Sequence, residues 1–367
     1  MNGGVSVPWR VPLLVLAFAS LFAGMAAGLL RLGWPFPPPV AQLALLHGPL
    51  MACGFFGTVI GLERAVALSR RWGYLAPLLS GAGAAAAMVG LPAQIAALLV
   101  ALGSAVLLAA SVLFYRRQRE LFTLTLALGA LCWLLGNLQW LAGRPIHAAV
   151  PFWIGFLVLT IAGERLELSR VLPQSANARR VFVAALAILL GAIAWSALAW
   201  KPGTLLLGAG MLLLALWLMR QDVARRTVRG RGLPRFIAVC LLTGYGWLAL
   251  SGTMIIATGG LAYAGPGYDA ALHAVLLGFV FSMVFGHAPI ILPAVLRVAV
   301  PYAPYFYLPL ALLHLSLLLR VAGDWNVTAP WRAWGGALNG VALIAFVLGT
   351  IAAVLRGLAA RAEPRRS

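Results

Sequence analysis

The sequence predicts an all-α polytopic membrane protein of about twelve spans, and three observations predict it. The chain of 367 residues is 63% hydrophobic and only 10% charged, far from the charged content of about a quarter that ordinary soluble domains carry. Its apolar residues fall in runs near the roughly 20 residues that cross a bilayer as a helix. Its basic residues sit in short clusters between those runs, the pattern of topology signals. The formal net charge of +19 therefore belongs to membrane loops and not to a nucleic-acid surface. Cys53, Cys132 and Cys240 all lie inside apolar runs without metal-ligand spacing, which argues against a disulfide framework.

The first run, 11–30, lies between Arg10 and Arg31. Its length, and the membrane domain that follows, favour a retained span over a cleaved signal peptide. The second, 41–68, follows a Pro-rich stretch and stops at Arg70-Arg71; the third and fourth, 73–91 and 94–115, are parted only by Leu91-Pro92. The fifth and sixth, 121–141 and 148–168, are separated by a break around Arg144. The seventh, 181–199, opens after Arg179-Arg180, and the eighth, 203–219, ends at Arg220. The stretch from Arg220 to Arg235, rich in arginine, suits anionic lipid headgroups and precedes the ninth run, 236–260. The last three runs are 270–296, 304–321 and 334–355.

Alternating these spans from an inside N-terminus puts 22 basic residues inside and only Arg31, Arg144, Lys201 and Arg332 outside, with Arg320 at the outer end of the eleventh helix. This asymmetry predicts a multi-pass protein of a bacterial inner membrane, both termini cytoplasmic. Trp34, Trp153, Trp200, Trp325, Trp331 and Trp334 fall near predicted outer ends, where indoles favour the interface.

One transmembrane domain, 1–367, is expected, with possible repeats over 11–115, 121–219 and 236–355, that is, three pseudo-equivalent four-helix units. Gly54-Phe55 through Glu63-Arg64 to Leu68-Ser69-Arg70 matches Gly155-Phe156 through Glu164-Arg165 to Leu168-Ser169-Arg170, and Gly278-Phe279 repeats the opening alone. Glu63, Arg64, Glu164 and Arg165 stand at cytoplasmic helix ends and are expected to anchor and pack those helices, with a proton or ion entry role as the other reading.

The histidines are the candidate functional residues, because ionisable groups inside spans are costly. His47, His147 and His273 lie 23, 23 and 24 residues before Arg70, Arg170 and Arg297, so each is roughly 35 Å above the cytoplasmic boundary. Three imidazoles at one level near the outer face suit a heme or metal site. His287 shares a helix face with His273 about 21 Å away, and His314 lies at the depth of His287. Both are weaker ligand or proton-relay candidates, and hydrogen bonding to carbonyls freed by Pro289 and Pro293 is the favoured reading for them. Asp269, one turn before His273, is expected to N-cap its helix, with orientation of the imidazole as the other reading.

His47-Gly48-Pro49-Leu50-Met51 with Phe55-Phe56 resembles the second helix of heme-copper oxidase subunit I, and Leu272-His273-Ala274 through Gly278 resembles its tenth. By that resemblance His47 and His273 are the axial heme ligands. Pro151 stands where that family's sixth helix has a tyrosine four residues after its histidine, Ala271 stands where its tenth helix has a second histidine two residues before His273, and the run 181–199 lacks its seventh-helix His-His pair. The resemblance therefore does not extend to a full oxygen-reducing site. The chain is also similar to the NnrS family of heme- and copper-binding membrane proteins, through His47, Met51, Gly54 and Phe55 and through Ala271-Leu272-His273-Ala274. That similarity implies heme and copper and a role in nitric oxide metabolism. Apart from the resemblance, bis-His ligation favours electron transfer, a site near the outer face suits a periplasmic electron carrier or a diffusing gas such as nitric oxide as partner, and His147 with a soft thioether, Met51 or Met254, is the copper candidate. The alternative is a multi-pass transporter of a small solute or metal, which Gly-rich helices and the prolines near His287 would equally suit.

Overall fold

The computed structural model describes residues 5–37, 42–171 and 175–362. Ala41, where the second expected span begins, and Arg365 and Arg366 of the C-terminal basic cluster lie outside them.

Every regular element among the described residues is helical. The principal helices are α1 (Val7–Arg31), α2 (Ala44–Leu68), α3 (Leu75–Met88), α4 (Ala93–Arg117), α5 (Leu121–Leu141), α6 (Ile146–Leu168), α7 (Ala176–Ser196), α8 (Trp200–Gln221), α9 (Gly232–Ala257), α10 (Pro266–Leu296), α11 (Pro304–Trp325) and α12 (Ala329–Ala362). Among the described residues 11 helices are long and apolar enough to cross a membrane. The exception is α3, whose 14 residues rise only about 21 Å. Gly90, at φ +78°, ends it early, with Leu91 N–H returning to Ala86 O at 3.0 Å, a glycine-terminated helix end. The seventh helix starts five residues before its expected position because the Ser175 hydroxyl accepts from Ala178 N–H, and Arg179 and Arg180 continue the helix instead of stopping it.

The chain divides into two compact units. The first is Met1–Glu167 with Ser196–Leu198, containing α1 to α6; the second is Leu168–Trp195 with Ala199–Ser367, containing α7 to α12. This division cuts through the expected second repeat, 121–219. The Gly-Phe similarity of α2, α6 and α10 places small residues at close helix approaches.

Two helices depart from α geometry at matching places. In α2, Leu50–Gly57 is a π-helix of 8 residues, and in α10, Ala274–Phe281 is another of 8. Aligning Gly54-Phe55 with Gly278-Phe279 superimposes both segments end to end. The third member of the expected repeat, α6, is α-helical throughout.

Candidate functional site

In the first unit, the site is built on the first turns of α2. His47 Nδ1 lies 2.7 Å from Gly24 O of α1. A carbonyl only accepts, so the proton is on Nδ1 and the ring lone pair on Nε2. Glycines on α1 make room for this ring and for the next turn of α2. A Cβ on Gly28 would stand 2.9 Å from His47 Cε1 and Nδ1, and one on Gly24 would stand 2.8 Å from Met51 Sδ. His47 and Met51, four residues apart, thus nest on two α1 glycines with the same spacing, Gly28 and Gly24.

The π segment follows at once. Its glycines let neighbours press in: a Cβ on Gly57 would meet the Trp133 ring at 2.2 Å and Ser80 Oγ at 2.7 Å, and one on Gly54 would meet Ser20 Oγ at 2.8 Å. The Ser80 hydroxyl donates to Cys53 O at 3.0 Å, supplying a partner to backbone that the wider π turn rearranges. π segments are uncommon and recur at functional sites.

His147 is the second residue of α6. The α6 start packs on the His47 turn: a Cβ on Gly48 would lie 3.7 Å from Trp153 and 3.8 Å from Ile146. Trp153, expected at the interface, is instead 2% exposed and donates to Asn137 Oδ1 at 2.9 Å. At the other end of these helices Arg64 pairs with Glu164, joining the two Glu-Arg pairs across α2 and α6, and Arg165 is buried.

In the second unit, His273 closes the first α-helical segment of α10. Its Nδ1 lies 2.8 Å from Asp269 O and 3.3 Å from Asp269 Oδ1, so its lone pair is also on Nε2. Asp269 is not the N-cap; that position is Gly265, without a side-chain cap. The carboxylate is held by Arg320, Nε to Oδ2 at 2.9 Å and Nη2 to Oδ1 at 3.0 Å. Arg332 reaches the same carboxylate at 3.7 Å and Asp324 at 2.9 Å. Two carboxylates and two guanidiniums thus gather in one cluster beside the His273 ring. Sequence reasoning placed Arg320 and Arg332 as topology markers. The missed signal was Asp324, an acid in an otherwise apolar run.

His287 repeats the tautomer, its Nδ1 lying 2.7 Å from Met283 O. His314 has the opposite one: Trp247 Nε1 donates to its Nδ1 at 2.9 Å, so a neutral ring carries its proton on Nε2. That arrangement suits ligation less than the other three. Among the described residues no group of three or more His, Cys, Asp or Glu converges as a metal cage, and Cys53, Cys132 and Cys240 are free and buried.

Long apolar helices, with part-buried ion pairs at their ends, define an all-helical protein with the architecture of a multi-pass membrane protein. The chain belongs to the family described as Domain of unknown function (DUF8744), which matches residues 10–355. No curated protein matches it.

Proposed function

We propose that the chain is a heme-binding protein of the bacterial inner membrane, with His47 and His273 as axial ligands and both termini cytoplasmic, acting in electron transfer or nitric oxide metabolism. One observation carries this reading. His47 and His273 each give Nδ1–H to a backbone carbonyl, at 2.7 and 2.8 Å, and each precedes a π-helical segment of 8 residues. Metal-bound imidazoles usually donate the other ring N–H in this way, which fixes the ring and leaves Nε2 as donor atom.

The donor set fits heme iron, for which neutral imidazole is a good ligand. When bound, heme would supply a reversible one-electron couple. The chain's own residues do the rest: Gly24 O and Asp269 O orient the imidazoles, Gly28 leaves the space for one of them, and Arg320 holds Asp269. Copper, the second proposed cofactor, would take the His147 imidazole and the Met51 thioether, a soft pair. A periplasmic electron carrier or nitric oxide is the proposed partner at the outer face, and the 22-to-4 distribution of basic residues supports the orientation.

The test is the visible absorption spectrum of protein purified in detergent from heme-replete cells. A Soret band is expected, and a colourless, folded protein overturns the reading. That outcome would favour the second reading, transport, which the non-α segments and Pro289 and Pro293 within α10 support.

A further inference from the structure

Within the first unit, two side chains of α5 are fully enclosed and carry unused donors. Trp133 and Asn137 are each 0% exposed, and neither Trp133 Nε1 nor Asn137 Nδ2 has a hydrogen-bond partner among the described residues. They are four residues apart and so share one face of the helix. The orientation of the amide is fixed by its oxygen, which accepts from Trp153 Nε1 at 2.9 Å and from the Cys53 thiol at 3.2 Å. Swapping oxygen and nitrogen would set N–H against N–H, so the Nδ2 donors must point elsewhere. The Trp133 indole N–H lies against the Cys53 sulfur, a weak acceptor, outside good hydrogen-bond geometry. Phe156 stacks on its ring at 4.8 Å and 13°, and Gly57 abuts its benzo edge. The indole therefore cannot swing away to find another partner.

A buried donor without an acceptor destabilises the fold, and in hydrocarbon no solvent is at hand to satisfy it. Folded proteins resolve this with ordered water where two to four polar groups converge. Among the described residues the hydrogen-bond partners found for Asn137 and the Cys53 thiol are neutral, which suits water better than an anion. We infer that the first unit encloses a resident water site between α2, α5 and α6, with Asn137 Nδ2 and Trp133 Nε1 donating to the water and Cys53 beside it. The site lies under the His47 turn: Trp153 links it upward, its indole N–H on Asn137 and its ring against Gly48. It provides exchangeable protons within the membrane interior, whether or not the histidines bind heme.

The experiment uses the full chain, indole-¹⁵N-labelled and in lipid bilayers, with water-to-indole polarisation transfer read by solid-state NMR. Trp133 is assigned by loss of its peak in Trp133→Phe, and Trp247, whose N–H is taken by His314, is the internal control. Expected is strong transfer from water at Trp133, little at Trp247, and a drop toward background in Asn137→Leu. Should Asn137→Leu fail to fold, Asn137→Ser, which leaves room for more water, is expected to keep the transfer. Absence of transfer at Trp133 in the unaltered protein overturns the site, as does equal transfer at Trp133 and Trp247, which means general hydration. Release of a stoichiometric non-aqueous molecule on denaturation overturns water as the occupant.

Discussion

Arg320 grips both oxygens of Asp269, at 2.9 and 3.0 Å, while the same carboxylate stands 3.3 Å from His273 Nδ1. The guanidinium therefore sets how much of the carboxylate is left for the imidazole. Replacing Arg320 with Gln frees Asp269 to accept more strongly from His273, which raises the basicity of Nε2. The expected outcome is a lower reduction potential for a heme bound at His273, measured by spectroelectrochemical titration. An unchanged potential with full heme content would separate Arg320 from the site. Stability should also fall by about 3 kcal/mol, the cost of breaking a buried pair.

Gly28 tests the cradle under His47. A methyl group there would stand 2.9 Å from the imidazole, so Gly28→Ala must displace the ring. Heme content is expected to fall sharply while the yield of folded, monodisperse protein stays within the range of the unaltered chain. Retention of full heme by Gly28→Ala would show that His47 is not a ligand held in this geometry.

The π-helical segments depend on glycine where aromatic rings cross. Gly57→Ala would drive a methyl to 2.2 Å from the Trp133 ring, and Gly278→Ala to 2.4 Å from Trp247. Both substitutions overpack a closed interior, and each is expected to cost about 1–3 kcal/mol or more, read as a lower melting temperature in detergent. Gly246→Ala, which meets no atom within 4 Å, is the neutral control. Equal melting of all three variants would contradict the packing described here.

The Arg64–Glu164 pair links α2 to α6 at their far ends. Removing one partner strands the other charge, so Arg64→Gln and Glu164→Gln are each expected to lose about 2 kcal/mol, less than the 3–5 kcal/mol of a fully buried pair. The double variant should lose less than the sum of the two, a coupling that a thermal-unfolding double-mutant cycle measures. Strict additivity would remove the pair from the stability of the first unit.

Helix positions were largely legible, because span length and charge clusters are local properties of sequence. α5 was bounded to the residue, from Leu121 to Leu141, since Arg119-Glu120 and Gly143-Arg144 flank it. α3 was overestimated because Leu91-Pro92 suggested a late end, whereas Gly90 turns the chain earlier. The π segments were not legible. Their sequences, Leu50–Gly57 and Ala274–Phe281, read as ordinary apolar helix, and only the shared Gly-Phe hinted at a common local structure. The histidines stood out by rarity, but their tautomers did not. These depend on carbonyls such as Gly24 O, 23 residues distant in sequence, and on Trp247 for His314. The pairing of Asp269 with Arg320, 51 residues apart, likewise comes from tertiary packing, which a residue count cannot supply.

The central claim, heme held by two particular histidines, is tested most directly by the heme-to-protein ratio of purified variants. The account predicts that His47→Ala and His273→Ala each lose most of the heme, while His314→Phe, altering a ring whose Nδ1 is occupied by Trp247, retains it at the level of the unaltered chain. Equal heme in all of these proteins, or none in the unaltered one, would contradict it.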